Sequence, residues 1–271
     1  MIELTVAVLI AMAIVMMAGW ACQLVAHNGG WTDVFWTYGT AAICAVAALV
    51  PFAGQTAPNW RQIAVAALIT LWGLRLGTYI AIRVARSPED VRYAALRQSW
   101  GEAFQRRMFA LLIVQAPATA LLSVSVVMAA RSPDLHVRIV DGIGAAVMVV
   151  AVVGEALADR QMKRFKAQHR GPLAVCDSGL WAWSRHPNYF FEFVGWLAYP
   201  VIAIETSRPW SWMSLLAPTV MFGLLRYGTG VPPLEAAMRR SKGAAYARYQ
   251  ALVGPFVPRP PRTVDERPRE D

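Results

Sequence analysis

Seven apolar stretches constrain the fold of this chain more than any other feature of its sequence. They fall at about residues 4–26, 34–53, 62–82, 108–130, 139–158, 191–205 and 209–227. One helical crossing of a bilayer needs about 20 mostly apolar residues, and its backbone polar groups must be satisfied within the protein. We therefore expect an all-α polytopic membrane protein with about seven transmembrane helices. Because the sixth stretch is short, about six to eight crossings fit the pattern.

The positions of Lys and Arg predict the orientation of the chain. Segments 83–107, 159–187 and 228–271 contain six, six and eight of these residues. The other interhelical loops hold four basic residues, namely Arg61, Arg131, Arg138 and Arg208. Seven crossings put the three basic segments on one side, which the positive-inside rule makes cytoplasmic. We expect an outside N terminus and an inside C terminus (N-out/C-in), in the inner membrane of a cell.

Charge and composition also narrow the partners and the domain organisation. The net charge of +9 is spread between the crossings, which favours membrane lipids as partners and indicates no nucleic acid. The three cysteines and four histidines have no metal-ligand spacing, so no metal site is predicted. One integral membrane domain is expected over residues 1–258, followed by a disordered tail at 259–271 that lacks apolar content. The sequence indicates no oligomeric state.

Residues 184–192, with the sequence SRHPNYFFE, form the most informative short motif. Pro187 suits the first position of a helix, because it has no N–H to lose and a preset φ. The free N–H groups of that first turn, beside an arginine and a histidine, are suited to hold a phosphate or carboxylate. A capping turn without a ligand also uses Pro and Arg. The candidate ligands in this turn are Arg185, His186, Asn188, Tyr189 and Glu192.

A second polar pattern leads out of the fifth apolar stretch. Glu155, Asp159 and Lys163 fall at i, i+4 and i+8, so they share one helical face. A charge at membrane depth costs roughly 2.5–3.5 kcal/mol on insertion scales, so each needs a partner, a wet cavity or a ligand. One interpretation is an internal salt-bridge ladder. The other is that this face and the 184–192 motif line one cofactor cavity that opens to the cytoplasm.

The last part of the chain adds a basic segment with tyrosines. Glu235 follows the last apolar stretch, and Tyr246 and Tyr249 lie among four basic residues. Such a segment could lie on anionic lipid, and it could equally cover the mouth of the cytoplasmic cavity.

Four sequence runs carry a family resemblance. VGEALADRQMKRFK, VCDSGLWAWSRHPNYFFEFVGW, LLRYGTGVPPLEAAM and YARYQALVGPFVP resemble the C-terminal half of the steroid 5-alpha-reductase family, most of all its bacterial branch of uncharacterised membrane proteins. Sterol reductases and isoprenylcysteine carboxyl methyltransferases are similar over the same half. The resemblance covers about residues 150–258. It implies seven helices, with a nicotinamide cofactor, usually NADPH, among the C-terminal crossings and cytoplasmic loops.

The resemblance also implies roles for individual residues. The positions that match cofactor-contacting residues of the family are Asp159, Asn188, Glu192 and, on the phosphate side, Arg226. The positions that match the sterol-reductase form of the motif are Arg185, His186 and Tyr189. Glu235 and Tyr246 match a tail that closes over the cofactor. The implied division is a lipid-substrate half over residues 1–135 and a cofactor-binding half over residues 136–258.

The N-terminal half departs from the animal steroid reductases. Those enzymes bind the 3-keto group with a Gln-Glu pair and a tyrosine, whereas here Gln55 is followed by Thr56 and Trp72 lies at the tyrosine position. Reduction of a conjugated C=C develops negative charge on the carbonyl oxygen, which requires an acid or a hydrogen-bond donor. Asp33 is the first candidate and Tyr38 the second. Asp33 could equally be an N-cap of the helix that follows.

Three functional classes fit these observations. The favoured class is an NADPH-dependent reductase that transfers a hydride to a conjugated C=C of a lipid-like substrate, either a steroid-like enone or an unsaturated fatty acyl chain. The second is an S-adenosylmethionine-dependent membrane methyltransferase of the isoprenylcysteine carboxyl methyltransferase type. The third, a lipid-binding or transport protein, is disfavoured because the apolar stretches show no inverted repeat.

Overall fold

Helices account for nearly all regular structure in the computed structural model, which describes residues 1–52, 54–132, 134, 136–169, 171 and 173–262. Within these residues there are ten α-helices and no strand. The helices are α1 (Ile2–Ala26), α2 (Gly30–Leu49), α3 (Trp60–Arg86), α4 (Val91–Trp100), α5 (Phe104–Ile113), α6 (Gln115–Ala130), α7 (Ile139–Gln168), α8 (Pro187–Ala203), α9 (Leu216–Arg226) and α10 (Val231–Leu252). Short 3₁₀ turns lie at Gly101–Ala103, Gly179–Ala182 and Pro209–Leu215.

Five of the described helical stretches are long and apolar enough to cross a membrane. They are α1, α2, α3, the continuous stretch Val91–Ala130 that contains α4 to α6, and α7. This confirms the prediction of an all-α polytopic membrane protein. The predicted sixth and seventh crossings correspond to α8, with 17 residues, and to a 3₁₀ turn followed by α9, with 11 residues.

Local sequence signals explain several helix boundaries. α3 begins after a capping box, in which the Asn59 side chain accepts from the Gln62 backbone N–H and the Gln62 side chain accepts from the Asn59 N–H, both at 3.0 Å. α8 begins at Pro187, as its sequence predicts. Gly243 has φ 51°, and the positive φ introduces a kink within α10.

The chain forms two compact units, of which unit 1 comprises Met1–Met148 and Trp196–Val220. In this unit α2 and α3 pack closely because Gly73 has no side chain. A Cβ at that position would overlap the side chain of Ala41. The fully buried Trp72 packs edge-to-face against Trp36 and Trp196, with ring centroids 6.3 and 5.2 Å away. Small residues therefore set the helix spacing, and tryptophans fill the interior of this unit.

Unit 2 comprises Val149–Gly195 and Met221–Asp271. Its apolar centre is an aromatic group in which Phe256 packs against Phe190, Phe193 and Phe222, with ring centroids 5.5 to 6.2 Å apart. Backbone hydrogen bonds fix the segment after α10 to the start of α8, because the N–H of Arg185 donates to the carbonyl of Gly254 at 2.9 Å. The apolar centre and these hydrogen bonds hold the 184–192 motif in place.

The two units do not coincide with the sequence halves 1–135 and 136–258, since the segment Trp196–Val220 groups with the N-terminal residues. Most of the predicted disordered tail, residues 263–271, lies outside the described residues. Its first residues are hydrogen-bonded to the rest of unit 2. The N–H of Arg259 donates to the Trp183 carbonyl, and the N–H of Arg262 donates to the Leu252 carbonyl, both at 2.9 Å.

Candidate functional site

A charged cluster joins the start of α8 to the first turns of α10. The Oε1 atom of Glu235 accepts a hydrogen bond from Arg185 Nε at 2.7 Å and lies 3.2 Å from His186 Nε2. The Oε2 atom of Glu235 accepts from Gln250 Nε2 at 2.8 Å. His186 is buried, and its ring stacks on Tyr189 with centroids 5.6 Å apart. Four predicted site residues therefore lie in direct contact.

Burial and hydrogen bonding act in opposite directions on the acid of this cluster. Burial alone would raise the pKa of Glu235, but the hydrogen bonds from His186 and Arg185 lower it to about 2. The pKa of His186 is lowered, chiefly by burial, although the contact with Glu235 partly opposes that change. At neutral pH, His186 is therefore a neutral imidazole that lies beside the Glu235 carboxylate and the Arg185 guanidinium.

Arg185 is engaged by acceptors of the protein itself. Besides its bond to Glu235, its Nη1 atom donates to the carbonyl of Gln250 at 3.1 Å and to that of Val253 at 2.6 Å. Its side chain is about nine-tenths buried, at 10% exposure. These contacts hold the end of α10 against the motif. The sequence predicts Arg185 as a ligand of an anion, and in the structure its side-chain donors contact Glu235 and these two carbonyls.

The predicted acidic face of α7 is buried. Glu155 and Asp159, like Glu192 of α8, are each only 5% exposed. The Nδ2 atom of Asn188 lies 3.5 Å from Asp159 Oδ1, which brings together two residues 29 positions apart. Lys163, the third residue of the predicted stripe, is exposed. The carboxyl groups therefore lie inside unit 2, the amide is half-buried, and the lysine lies on the surface.

The remaining predicted cofactor residues lie at the ends of α9 and within α10. Arg226 ends α9, where its guanidinium lies over the Tyr227 ring at 4.9 Å, and its charge contributes to lowering the pKa of His186. Tyr246 is buried, and its pKa is raised by burial and by the charge of Glu235. Arg226 therefore acts electrostatically on the cluster at the start of α8, and the charge of that cluster acts on Tyr246.

A groove of about 430 Å³ lies between the end of α7, the loop that follows it and α10, all within unit 2. Its lining includes the apolar Met162, Phe165 and Met238 and the basic or imidazole side chains of Lys166, His169 and Lys242. Sequence reasoning missed these three polar residues. A signal was present for one of them, because Lys166 lies on the face of α7 that carries Asp159, whereas His169 lies just past the end of that helix. Lys242 comes from another helix, so helical periodicity could not find it.

The catalytic candidates of the N-terminal half have their own partners within unit 1. Asp33 lies in the first turn of α2, whose N-cap is Gly29, so Asp33 is not the cap. Its Oδ2 atom accepts from Arg92 Nη2 at 2.7 Å, and its Oδ1 atom accepts from the Tyr93 hydroxyl at 2.6 Å. Tyr93, which the sequence did not single out, is thus a donor to the candidate acid.

The second candidate, Tyr38, is in a different environment. Its hydroxyl lies 2.8 Å from Thr78 Oγ1 on an exposed part of α2 and α3. Its ring packs over Gly77, which has no side chain to prevent this approach. The structure gives Tyr38 and Asp33 separate hydrogen-bond partners, as the opposite directions of positions 33 and 38 on a helix predict.

Comparison with known proteins extends these observations. A family model described as "Protein of unknown function (DUF1295)" matches residues 19–253. "Uncharacterized protein C594.04c" of Schizosaccharomyces pombe is 26% identical over 281 aligned positions, which cover 89% of this chain and 79% of that protein. No solved structure matches the chain. The match spans both the buried acidic face of α7 and the cluster at the start of α8.

Proposed function

The chain belongs to the DUF1295 family, which is steroid 5-alpha-reductase-like, and from this premise we propose that it is a membrane-bound NADPH-dependent reductase of a conjugated C=C in a lipid-like substrate. One observation carries the proposal. The helix α7 brings the Asp159 carboxylate to Asn188 and, farther along the same face, contributes Lys166 to a groove that His169, just past the end of the helix, also lines. The buried Asp159 with the half-buried Asn188 offers a polar site for an amide or ribose, and the groove offers a basic site for a phosphate; a nicotinamide dinucleotide phosphate requires both.

The spacing of these two environments suits such a ligand. Asp159 and Lys166 are seven residues apart, which at 1.5 Å per residue is about 10 Å along the helix axis. Carboxylates and side-chain amides can hydrogen-bond a carboxamide or ribose hydroxyls, whereas lysine and histidine attract phosphates. The apolar Phe165, Met162 and Met238 offer surfaces for a flat ring. We assign the polar pair to the nicotinamide end and the groove to the phosphate end.

In the proposed site, one group of residues contacts the cofactor and another holds that group in place. A nicotinamide cofactor supplies the hydride. In this proposal Asp159, Asn188 and Glu192 orient its nicotinamide half from within unit 2. Glu235 fixes the start of α8 through His186 and Arg185, so it positions Asn188 without touching the ligand. In this proposal Arg185 has the same positioning role, because it contacts α10.

The substrate half requires a group that meets charge on a carbonyl oxygen. We assign this role to Asp33, with Tyr93 as the hydroxyl that is hydrogen-bonded to it and Tyr38 as the second candidate. A lipid-like substrate is proposed because unit 1 is built of apolar helices. Unsaturated acyl chains and steroid-like enones both meet the chemical requirement of a double bond conjugated to a carbonyl.

For the membrane, we propose seven crossings in an N-out/C-in orientation in an inner membrane of the bacterial type. α8 and the segment of α9 with its preceding turn are the sixth and seventh crossings of this topology. The basic segments 83–107, 159–187 and 228–271 then face the cytoplasm. The groove is formed by two of these segments, so it opens to the compartment in which NADPH is made.

Ligand-induced thermal stabilisation of the purified protein tests the proposal. Ligand at about 100 times its Kd stabilises a protein by about 2.7 kcal/mol, so NADPH should raise the unfolding temperature. Asn188→Ala should weaken NADPH binding about tenfold, since one hydrogen bond to a polar ligand is lost. The matched control is Asn28→Ala, which removes an amide whose oxygen accepts from the Gly30 N–H in unit 1 and should leave NADPH affinity unchanged.

Two results would overturn the assignment. Stabilisation by S-adenosylmethionine and not by NADPH would identify a methyltransferase. Equal NADPH affinity in the wild type and in Asn188→Ala would show that NADPH does not bind at this site. A comparison of NADPH with NADH measures the contribution of the extra phosphate, which the basic groove should favour.

A further inference from the structure

α10 consists of two arms that meet at the kink at Gly243 and lie side by side, because Arg239 before the kink donates to Gln250 after it at 2.7 Å. Tyr246 and Tyr249 on the second arm are 2% and 6% exposed and form a core cluster with Val253. Arg239 and Arg240 on the first arm and Arg248 on the second are exposed, and we call these three arginines the outer face of α10. Because the tyrosines are buried, they cannot be the residues that contact a lipid surface. The exposed charges that α10 offers to a partner are those of the three arginines.

The outer face of α10 belongs to a segment without opposing charge. From residue 236 to residue 262 the chain has six basic residues and no acidic residue. Arg239 donates from Nε to the neutral Gln250 side chain at 2.7 Å. Within the part of the chain that the structure describes, none of the three arginines forms a salt bridge. Among the described residues no acidic side chain neutralises the positive charge of this surface, which is therefore suited to an anionic partner.

The position of α10 in the chain selects the partner. Only residues 227–230 separate it from α9, a distance of at most about 14 Å for an extended chain. If α9 ends a crossing, α10 begins at the headgroup layer, where anionic lipids attract Lys and Arg. We infer that the outer face of α10 docks onto the phosphate headgroups of anionic phospholipids.

Docking has a consequence for the groove, and this part rests on the proposed function. α10 carries Glu235, which contacts Arg185 and His186, and it contributes Met238 and Lys242 to the groove. Anchoring the outer face limits the positions that the helix can take, so the groove keeps its shape before the ligand arrives. A binding site that is already ordered loses less entropy on binding. Anionic lipid therefore raises the affinity for the nucleotide.

Hydrogen–deuterium exchange of the protein in lipid nanodiscs tests the docking without any cofactor. Peptides that cover residues 236–250 should exchange severalfold more slowly when phosphatidylglycerol is added to phosphatidylcholine, and high salt should abolish the difference. The double variant Arg240→Gln/Arg248→Gln should show no lipid effect. The matched control is Arg106→Gln/Arg107→Gln, an exposed pair in α5 with the same loss of charge, which should retain it.

Several outcomes would overturn the docking. One is equal exchange in the two lipid mixtures, and another is full protection in the Arg240→Gln/Arg248→Gln variant. Protection by soluble glycerol phosphate would indicate a free phosphate site. Protection by soluble polyglutamate would indicate an acidic polypeptide as the partner. Both reagents are added to protein in phosphatidylcholine alone, so that no anionic lipid competes with them.

An NADPH titration in the same nanodiscs tests the consequence for the groove. The affinity should rise severalfold with phosphatidylglycerol in the wild type and in the α5 control, and it should not rise in Arg240→Gln/Arg248→Gln. Protection of α10 without a change in affinity would overturn the coupling and leave the docking supported. Absence of NADPH binding in every lipid would overturn the proposed function, while the exchange measurement would still decide the docking.

Discussion

His186 Nε2 lies 3.2 Å from Glu235 Oε1, although the two residues are 49 positions apart in the chain. The contact joins the turn that precedes α8 to the first turns of α10. Arg185 contacts the same Glu235 oxygen and two carbonyls at the end of α10. The 184–192 motif is therefore held by the C-terminal helix through one carboxylate, and the protonation of that carboxylate should control the stability of unit 2.

Glu235→Gln should lower the unfolding temperature at neutral pH. The unfolding temperature of this variant should also change less with pH in the acid range than that of the wild type. The pKa of Glu235 is about 2, below its ordinary 4.5, so its stabilisation is complete above pH 4.5 and is lost as the pH falls towards 2. The difference corresponds to on the order of 3 kcal/mol. His186, with a lowered pKa, adds a further loss below its ordinary 6.5. Thermal unfolding in detergent across this pH range measures both.

The matched control for this substitution is Glu102→Gln, which changes an exposed acid between α4 and α5. Its unfolding temperature should follow that of the wild type at every pH. The explanation is wrong if Glu235→Gln unfolds along the same acid curve as the wild type.

Gly243→Ala should destabilise the protein, and Gly223→Ala should not. Neither substitution meets another atom within 4 Å, so the comparison isolates the backbone. Gly243 has φ 51° and ψ −126°, a conformation that costs a residue with a side chain about 1–3 kcal/mol. Gly223 lies in the helix α9, where alanine is favoured by roughly 0.5–1 kcal/mol. Denaturant titration should give changes of opposite sign, and equal changes would refute the role of the kink.

Gly73→Ala should weaken the contact between α2 and α3. A Cβ at this position would overlap that of Ala41, and the backbone Cα of Ala41 would be 3.5 Å away, so the helices must separate. Such overpacking typically costs about 1–3 kcal/mol. Gly142→Ala in α7 is the control, because nothing lies within 4 Å of the added atom. If both variants unfold at the wild-type temperature, small residues do not set the α2–α3 spacing.

Asp33→Asn should reduce turnover of a confirmed substrate by about 10²–10⁴-fold while NADPH affinity stays near the wild-type value. Tyr93→Phe should have a similar effect, because its hydroxyl donates to Asp33 at 2.6 Å. Tyr38→Phe is the comparison, since that hydroxyl pairs with Thr78 and not with Asp33. Steady-state kinetics and a cofactor titration on each variant make the measurement. Wild-type turnover in Asp33→Asn would assign its carboxylate to holding α4 through Arg92.

The sequence by itself determined the helices, the membrane environment and the start of the site motif. Apolar stretches of about 20 residues require helices in a bilayer, and Pro187 marks where α8 begins. The burial of Glu155 and Asp159 follows from their places in an apolar helix. These features depend on hydrogen bonds and hydrophobicity within a few turns, so neighbouring residues are sufficient to specify them.

Only the tertiary structure decided which polar groups meet. Arg185 is hydrogen-bonded to Glu235 and contacts the end of α10. Tyr93 is hydrogen-bonded to Asp33, which lies 60 positions away in the chain. The tertiary structure also placed Lys242 of α10 in the groove lined by α7. Helical periodicity assigns a residue to a face but does not specify which face of another helix it will meet. Which faces meet depends on close packing and on the need to pair buried charges. At Gly73, for example, the absence of a side chain allows Ala41 to pack closely.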